Sequence, residues 1–249
     1  MMMPRQFRPG LGPSLAVAVL LPLFLYLGYW QLQRADEKRA LQAEYDARAA
    51  GPAIQVEPRL QNAEQLQFYR VVAKGYYEPD HLILIDNRVH QGLPGYDVIT
   101  PLHLSGGDVR LLVNRGWIPL GADRAHLPVI ETPKGLVEVT GVATVPADKV
   151  FTLGAPEPLS RGWREVWQNM DMKRYRAAVP FPVQPVVVLL DPQSPAGGFT
   201  REWARLDAGI AVHEGYAFQW FMMAAALVVI YLFMGRRRAL AASPEDNPS

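Results

Sequence analysis

"YAFQWFMMAAALVVIYLFMG", residues 216–235, carries no charged side chain and no proline. A second stretch, "LGPSLAVAVLLPLFLYLGYW" at 11–30, is also uncharged. Each holds about the twenty residues that a helix needs to cross a ~30 Å hydrocarbon layer. Within such a layer every backbone amide must be satisfied inside its own segment, so both read as helices, with a kink expected at Pro22. Two such runs with polar flanks predict transmembrane helices at 11–31 and 213–235. The first is expected to be an uncleaved anchor. Its apolar stretch is long, "QLQRADEKR" follows directly, and the nearest A-x-A pattern, Ala47-Arg48-Ala49, lies well beyond a signal-peptide cleavage distance.

Lysine and arginine near the ends set the expected orientation. Arg5 and Arg8 precede the first run and Arg236, Arg237 and Arg238 follow the second, which places 1–10 and 236–249 in the cytoplasm. Arg34, Lys38 and Arg39 on the other flank open a loop of about 180 residues, where charge counts for less. The ten residues ahead of the first run are few for an organellar transit sequence. The expected location is therefore a bacterial plasma (inner) membrane, with the large loop periplasmic and Trp30 and Trp220 at its outer interface.

After Trp30, "QLQRADEKRALQAEYDARAA" is rich in helix formers and has no glycine or proline before Gly51-Pro52. The first helix is expected to continue through it, with Glu44 and Arg48 as an i,i+4 pair, and to stop at Gly51-Pro52. Residues 32–66 are thus a helical extension and linker. From residue 67 the period changes to two. "FYRVVAKGYY" puts Tyr69, Val71, Ala73 and Tyr77 on one side and Arg70 and Lys74 on the other. "HLILIDNRV" is its expected hairpin partner across "EPD", and "YDVITPL" and "VRLLVNRGW" flank the turn "HLSGGD" as a second hairpin. "GLVEVTGVATV" and "PVVVLL" add strands, "NMDMKRYRAA" is a short helix, and Ile118 to Gly135 reads as a surface loop. The expected fold class is membrane-anchored α+β. Two transmembrane helices flank an antiparallel β-rich extracytoplasmic domain at 67–212, a small barrel or sandwich with one or two short helices.

Composition narrows the function. Across 249 residues the formal charge is +1, without the clustered basic surface that nucleic acid requires, so the expected partners are membrane lipid and no nucleic acid. The absence of cysteine excludes disulfides, thiolate metal sites, iron–sulfur clusters and covalent c-type haem attachment. No nucleophile elbow, H-E-x-x-H or phosphate-cradling loop is present. The histidines at 81, 90, 103, 126 and 213 show no chelating spacing, and Met170 and Met172 read as packing rather than a Cu(I) site. In "LVNRGW" Arg115 is expected to pair internally, Gly116 to permit a bulge and Trp117 to fill core; the alternative is Arg115 gripping a carboxylate.

Five separated motifs, "GYWQLQRADEK", "FYRVVAKGYY", "GLPGYDVITPL", "LLVNRGWIP" and "HEGYAFQWF", stand in the order seen in the surfeit locus protein family, which this chain resembles over both apolar runs and most of the loop. The resemblance implies two spans with internal termini and a non-enzymatic assembly factor for haem–copper cytochrome c oxidase, assisting haem A delivery to the catalytic subunit. Its implied partners are oxidase subunits and haem A synthase. The alternative function is a membrane-tethered periplasmic enzyme. By position Gly28, Trp30, Gln31 and Arg34 match the first motif. Gly95, Tyr96, Pro101, Asn114, Arg115, Gly116 and Trp117 match the middle ones, and His213, Tyr216, Ala217 and Trp220 the last. The chain departs from the family pattern at Glu37, Ala211, Val212 and Glu214.

A histidine at the outer end of a span suits axial ligation of haem iron. On the haem A reading His213 is the metal ligand, the ring lies against Tyr216 and Trp220, and Arg34, Arg201 or Arg205 meet its propionates. The other role open to His213 is an interfacial imidazole hydrogen-bonded to Glu214 or water.

Overall fold

The computed structural model describes residues 9–121, 126–146, 165–206 and 209–241; Arg5 and Arg8 lie outside these. The chain forms two compact units, one of Met1–Ala43 with Arg205–Ser249 and one of Glu44–Ala204.

The first unit is a pair of helices. Helix α1, Leu11–Ala49, has 39 residues and runs through Pro22 without a break. At 1.5 Å per residue it is about 58 Å long, far more than a ~30 Å layer needs, so the expected extension is real. The chain leaves the helix at Gly51-Pro52, and Glu44 and Arg48 form the expected pair at 2.8 Å. The partner helix, Ile210–Ala241, also contains an uncharged apolar window. Only 6% and 11% of the two windows is buried, and Leu15, Val19, Phe218, Val229 and Phe233 point outward. The helix of a soluble core would hide these side chains. Both helices are long and apolar enough to cross a membrane.

Their packing follows a seven-residue repeat. Ser14, Leu21, Gly28, Ala35 and Gln42 line the inner stripe of α1, and Ala217, Ala224 and Tyr231 that of its partner. Gly28, Ala35, Gln42, Ala217 and Ala224 are buried. Small residues let two backbones approach where no hydrophobic driving force exists between helices. A Cβ on Gly28 would meet Phe221 Cε1 at 2.7 Å. Ser14 Oγ and Tyr231 Oη share a hydrogen bond of 2.9 Å, and Phe24 and Trp220 stack with centroids 5.7 Å apart. Trp220 is level with Phe24, six residues along α1 from Trp30, so the two indoles lie about 9 Å apart along the helix pair.

The second unit is a closed barrel. Its strands are β1 Ile54–Gln55, β2 Arg70–Tyr77, β3 Ile83–His90, β4 Leu93–Leu104, β5 Arg110–Pro119, β6 Val137–Thr144, β7 Val166–Trp167 and β8 Val183–Leu190. The order β1-β2-β6-β8-β5-β4-β3-β7, with a further β2–β4 pairing, closes β2, β6, β8, β5 and β4 on themselves. Short helices α2, Ala63–Leu66, and α3, Met172–Ala178, complete it. Alternate residues of each strand fill the interior, among them Val71, Ala73, Leu102, Leu111, Val113, Val139, Val186 and Val188. On the outer side Ile83, Ile85, Ile99 and Leu112 pack under α3, with Met170 and Met172 against them.

Two expectations of the sheet fail. The β4–β5 hairpin forms across "HLSGGD", but β2 pairs with β4 and β6, not with β3. A 3₁₀ turn at Pro79–His81 separates β2 from β3, and barrel closure leaves β2 no free edge for it. Nor is the sheet wholly antiparallel, since β1–β2, β3–β7 and β5–β8 run parallel.

The bulge foreseen at Gly116 exists, and it changes the reading of Trp117. Asp97 pairs with Trp117 and Ile99 with Asn114, so two steps on β4 answer three on β5. Gly116 has φ 113°, and a Cβ there would meet Thr200 O at 2.5 Å. An extra residue flips the faces beyond it. Leu111, Val113 and Arg115 point inward, Ile118 resumes the inward role, and Trp117 turns out of the core. Trp117 is partly buried, with Nε1 donating to Arg88 O at 3.0 Å and its ring beside His90.

Candidate functional site

Arg115 is 1% exposed, and its guanidinium is engaged on all sides within the barrel unit. Nε donates to Gly197 O at 2.6 Å, Nη1 to Thr132 Oγ1 at 3.0 Å and Nη2 to Glu131 O at 2.6 Å. The rings of Tyr77 and Phe199 flank it, 5.0 and 4.9 Å from Cζ. Burial pulls its pKa below the ordinary value, opposed by Tyr77. Burial pushes the Tyr77 phenol up to about 12, against the charges of Arg115 and Arg201. The internal pairing expected of Arg115 is what the structure shows. Its neutral acceptors come from separate segments, so it is a clamp rather than a receptor for a carboxylate.

The helix pair offers a different arrangement. The partner helix begins at Ile210, so His213 lies in its first turn, with its N–H bonded to Gly209 O at 3.3 Å. Its Nδ1 is 2.7 Å from Gln31 Oε1, on α1. A carboxamide oxygen only accepts, so Nδ1 is the donor of this bond, and the neutral form of the ring then has its lone pair on Nε2. Among the described residues nothing bonds to Nε2. The imidazole is partly buried, and its partner is Gln31 rather than the Glu214 considered from sequence; Glu214 pairs instead with Arg39 on α1.

Residues 213, 216 and 220 recur at i, i+3 and i+7, which sets His213, Tyr216 and Trp220 along one side of the helix. Tyr216 is exposed, and Trp220 stacks on Phe24. Arg34, one turn from Gln31, pairs with Glu37 at 2.7 Å and lies over Trp30, Cζ 5.7 Å from the ring. Arg205 belongs to this unit and is exposed. Arg201 belongs to the barrel unit, where Nη1 donates to Asp191 O at 2.7 Å and Ser194 O at 2.9 Å. His213, Tyr216, Trp220 and Arg34 thus all lie on the helix pair, while Arg201 serves its own unit.

Among the described residues no three His, Cys, Asp or Glu side chains gather as a metal cage. A haem iron needs no cage. A histidine with one ring nitrogen unbonded among the described residues is a type of axial ligand that haem iron takes, and aromatic side chains stand along the same helix. The residues present fit the group. Sequence reading gave Gln31 no role, although the seven-residue stripe from Ser14 to Gln42 marks the inner face of α1 and puts Gln31 three residues past Gly28, on the same side.

The fold and this site define a class: a pair of long apolar helices that share one interhelical imidazole, with a closed β-barrel inserted between them in sequence. The model of the SURF1 family matches residues 18–225, and the chain belongs to that family. Among similar proteins, a SURF1-like protein of Rickettsia felis is 24% identical over 237 residues, covering 90% of this chain and 96% of that one. Surfeit locus protein 1 of Xenopus tropicalis is 24% identical over 234 residues, covering 86% and 73%. Surfeit locus protein 1 of Mus musculus is 23% identical over 215 residues, covering 80% and 68%.

Proposed function

We propose that this protein is a non-enzymatic assembly factor for haem–copper cytochrome c oxidase, which presents haem A to the catalytic subunit. Family membership supports the role, and one observation carries the haem reading: Gln31 occupies Nδ1 of His213 and leaves the Nε2 lone pair uncommitted. When bound, haem A supplies an iron with an axial position for an imidazole nitrogen. His213 would hold it through Nε2, Tyr216 and Trp220 would give the ring and its apolar tail a surface, and Arg34 or Arg205 would meet the propionates. A single axial bond without covalent attachment suits a carrier, because the group must leave again. Oxidase subunits and haem A synthase are the partners of this role. On this reading the helices lie in a bacterial plasma membrane with termini cytoplasmic and the barrel periplasmic.

The test is to purify the full chain from cells that make haem A and record its visible spectrum. His213→Ala is expected to leave abundance and insertion unchanged, because a partly buried imidazole contributes little packing, while the co-purifying haem falls. Loss need not be complete, since the surface around Trp220 remains. An alanine variant that carries as much haem as the parent, with an identical spectrum, would sink the assignment of His213.

A further inference from the structure

We propose that Gln31 is the positioning residue of this site: it selects Nε2 as the ligating nitrogen of His213 and so makes cofactor ligation depend on the pairing of the two helices. The inference rests on the haem reading above. Free neutral imidazole has two interchangeable nitrogens, and a ligand must offer one without its proton. Here the 2.7 Å bond to Gln31 Oε1 keeps the proton on Nδ1. That bond runs between helices, so the tautomer is fixed only when α1 and its partner are in register.

The register is set beside it. Gly28 lies against Phe221, Phe24 against Trp220, and Arg39 pairs with Glu214, the residue after the histidine. Gln31 sits between these contacts on the inner side of α1, and its side chain is partly buried. Another hydrogen bond across the pair, Ser14 to Tyr231, lies at the far end and touches no candidate ligand. It serves as the internal control.

Nitrogen-15 chemical shifts of His213 in the detergent-solubilised full chain, without haem, report the tautomer directly. The parent is expected to carry the proton on Nδ1. Gln31→Leu is expected to move it to Nε2 and to weaken haem A binding by about 10–100-fold, the usual effect of removing a ligand's hydrogen-bond partner. Gln31→Glu restores an acceptor and is expected to retain both the tautomer and the affinity. Ser14→Ala is expected to change neither. A parent proton on Nε2, or equal weakening by Ser14→Ala, overturns the role of Gln31. So does undiminished haem A binding by Gln31→Leu alongside lost binding by His213→Ala, an outcome that leaves His213 as ligand. Full retention by His213→Ala overturns the ligand assignment itself. Should Gln31→Leu fail to insert, Gln31→Glu decides alone, and a proton moved to Nε2 in that variant counts against the role.

Discussion

Arg115 in the barrel and His213 in the helix pair are both polar groups set among apolar neighbours, and their surroundings treat them in opposite ways. Arg115 is clamped by Gly197 O, Glu131 O and Thr132 Oγ1 and flanked by two aromatic rings. His213 has one partner, Gln31, and a second nitrogen with none among the described residues. A buried donor set that is fully satisfied by its own fold has little left to give a ligand. A ring fixed at one nitrogen and open at the other is preorganised to bind something. The contrast separates a residue whose donor nitrogens are all used from one with a ring nitrogen unbonded among the described residues, although both match motifs of the same family.

The contrast is easiest to break at Arg115. Arg115→Leu is expected to destabilise the barrel by about 2–6 kcal/mol, because it strands two carbonyls and each unmade bond costs about 1–3 kcal/mol. Arg115→Lys is not expected to rescue it, since an ammonium lacks the planar fork that reaches separate segments. Chemical denaturation measures both. A variant of normal stability that no longer supports oxidase assembly would move Arg115 to the functional side of the comparison.

A smaller effect is expected at Trp117. A fully buried indole would cost about 3–5 kcal/mol on truncation. The bulge at Gly116 turns this ring out to a partly buried position, so Trp117→Ala is expected to cost about 1–3 kcal/mol. A loss as large as that of Arg115→Leu would show that the outward face contributes as much as the interior.

The smallest effect is a pH dependence at Asp97, which pairs with Trp117 across the bulge. Burial raises its carboxyl above the ordinary value, opposed by Arg88, 3.4 Å away, and by Asn114. The folded state therefore holds this proton more tightly than the unfolded chain does. Its contribution to stability is complete below the unfolded value of about 3.9 and is lost as pH rises through the raised folded one. Asp97→Asn removes that loss, so the variant is expected to gain on the parent in thermal midpoint as pH rises across this window. A constant difference at all pH values would show that Asp97 does not titrate this way.

Much was readable from residues alone because it depends on local rules. An uncharged run of about twenty residues has one satisfactory backbone solution in an apolar setting, so both long helices follow from composition. Period-two alternation identified β2, β4, β5 and β6, and Gly51-Pro52 marked the end of α1. The position of His213 in a family motif also needed no coordinates. What sequence could not supply was any pairing between distant segments. Closure of the barrel through β2–β4, the parallel β5–β8 pair and the bulge that expels Trp117 depend on which strand edges meet, and side-chain alternation is silent on edges. The Gln31–His213 bond spans 182 positions, and it exists because a repeat of small side chains lets two helices approach closely enough for one carboxamide to reach one imidazole. The histidine was written in the chain, but which of its nitrogens is bonded was decided by the packing.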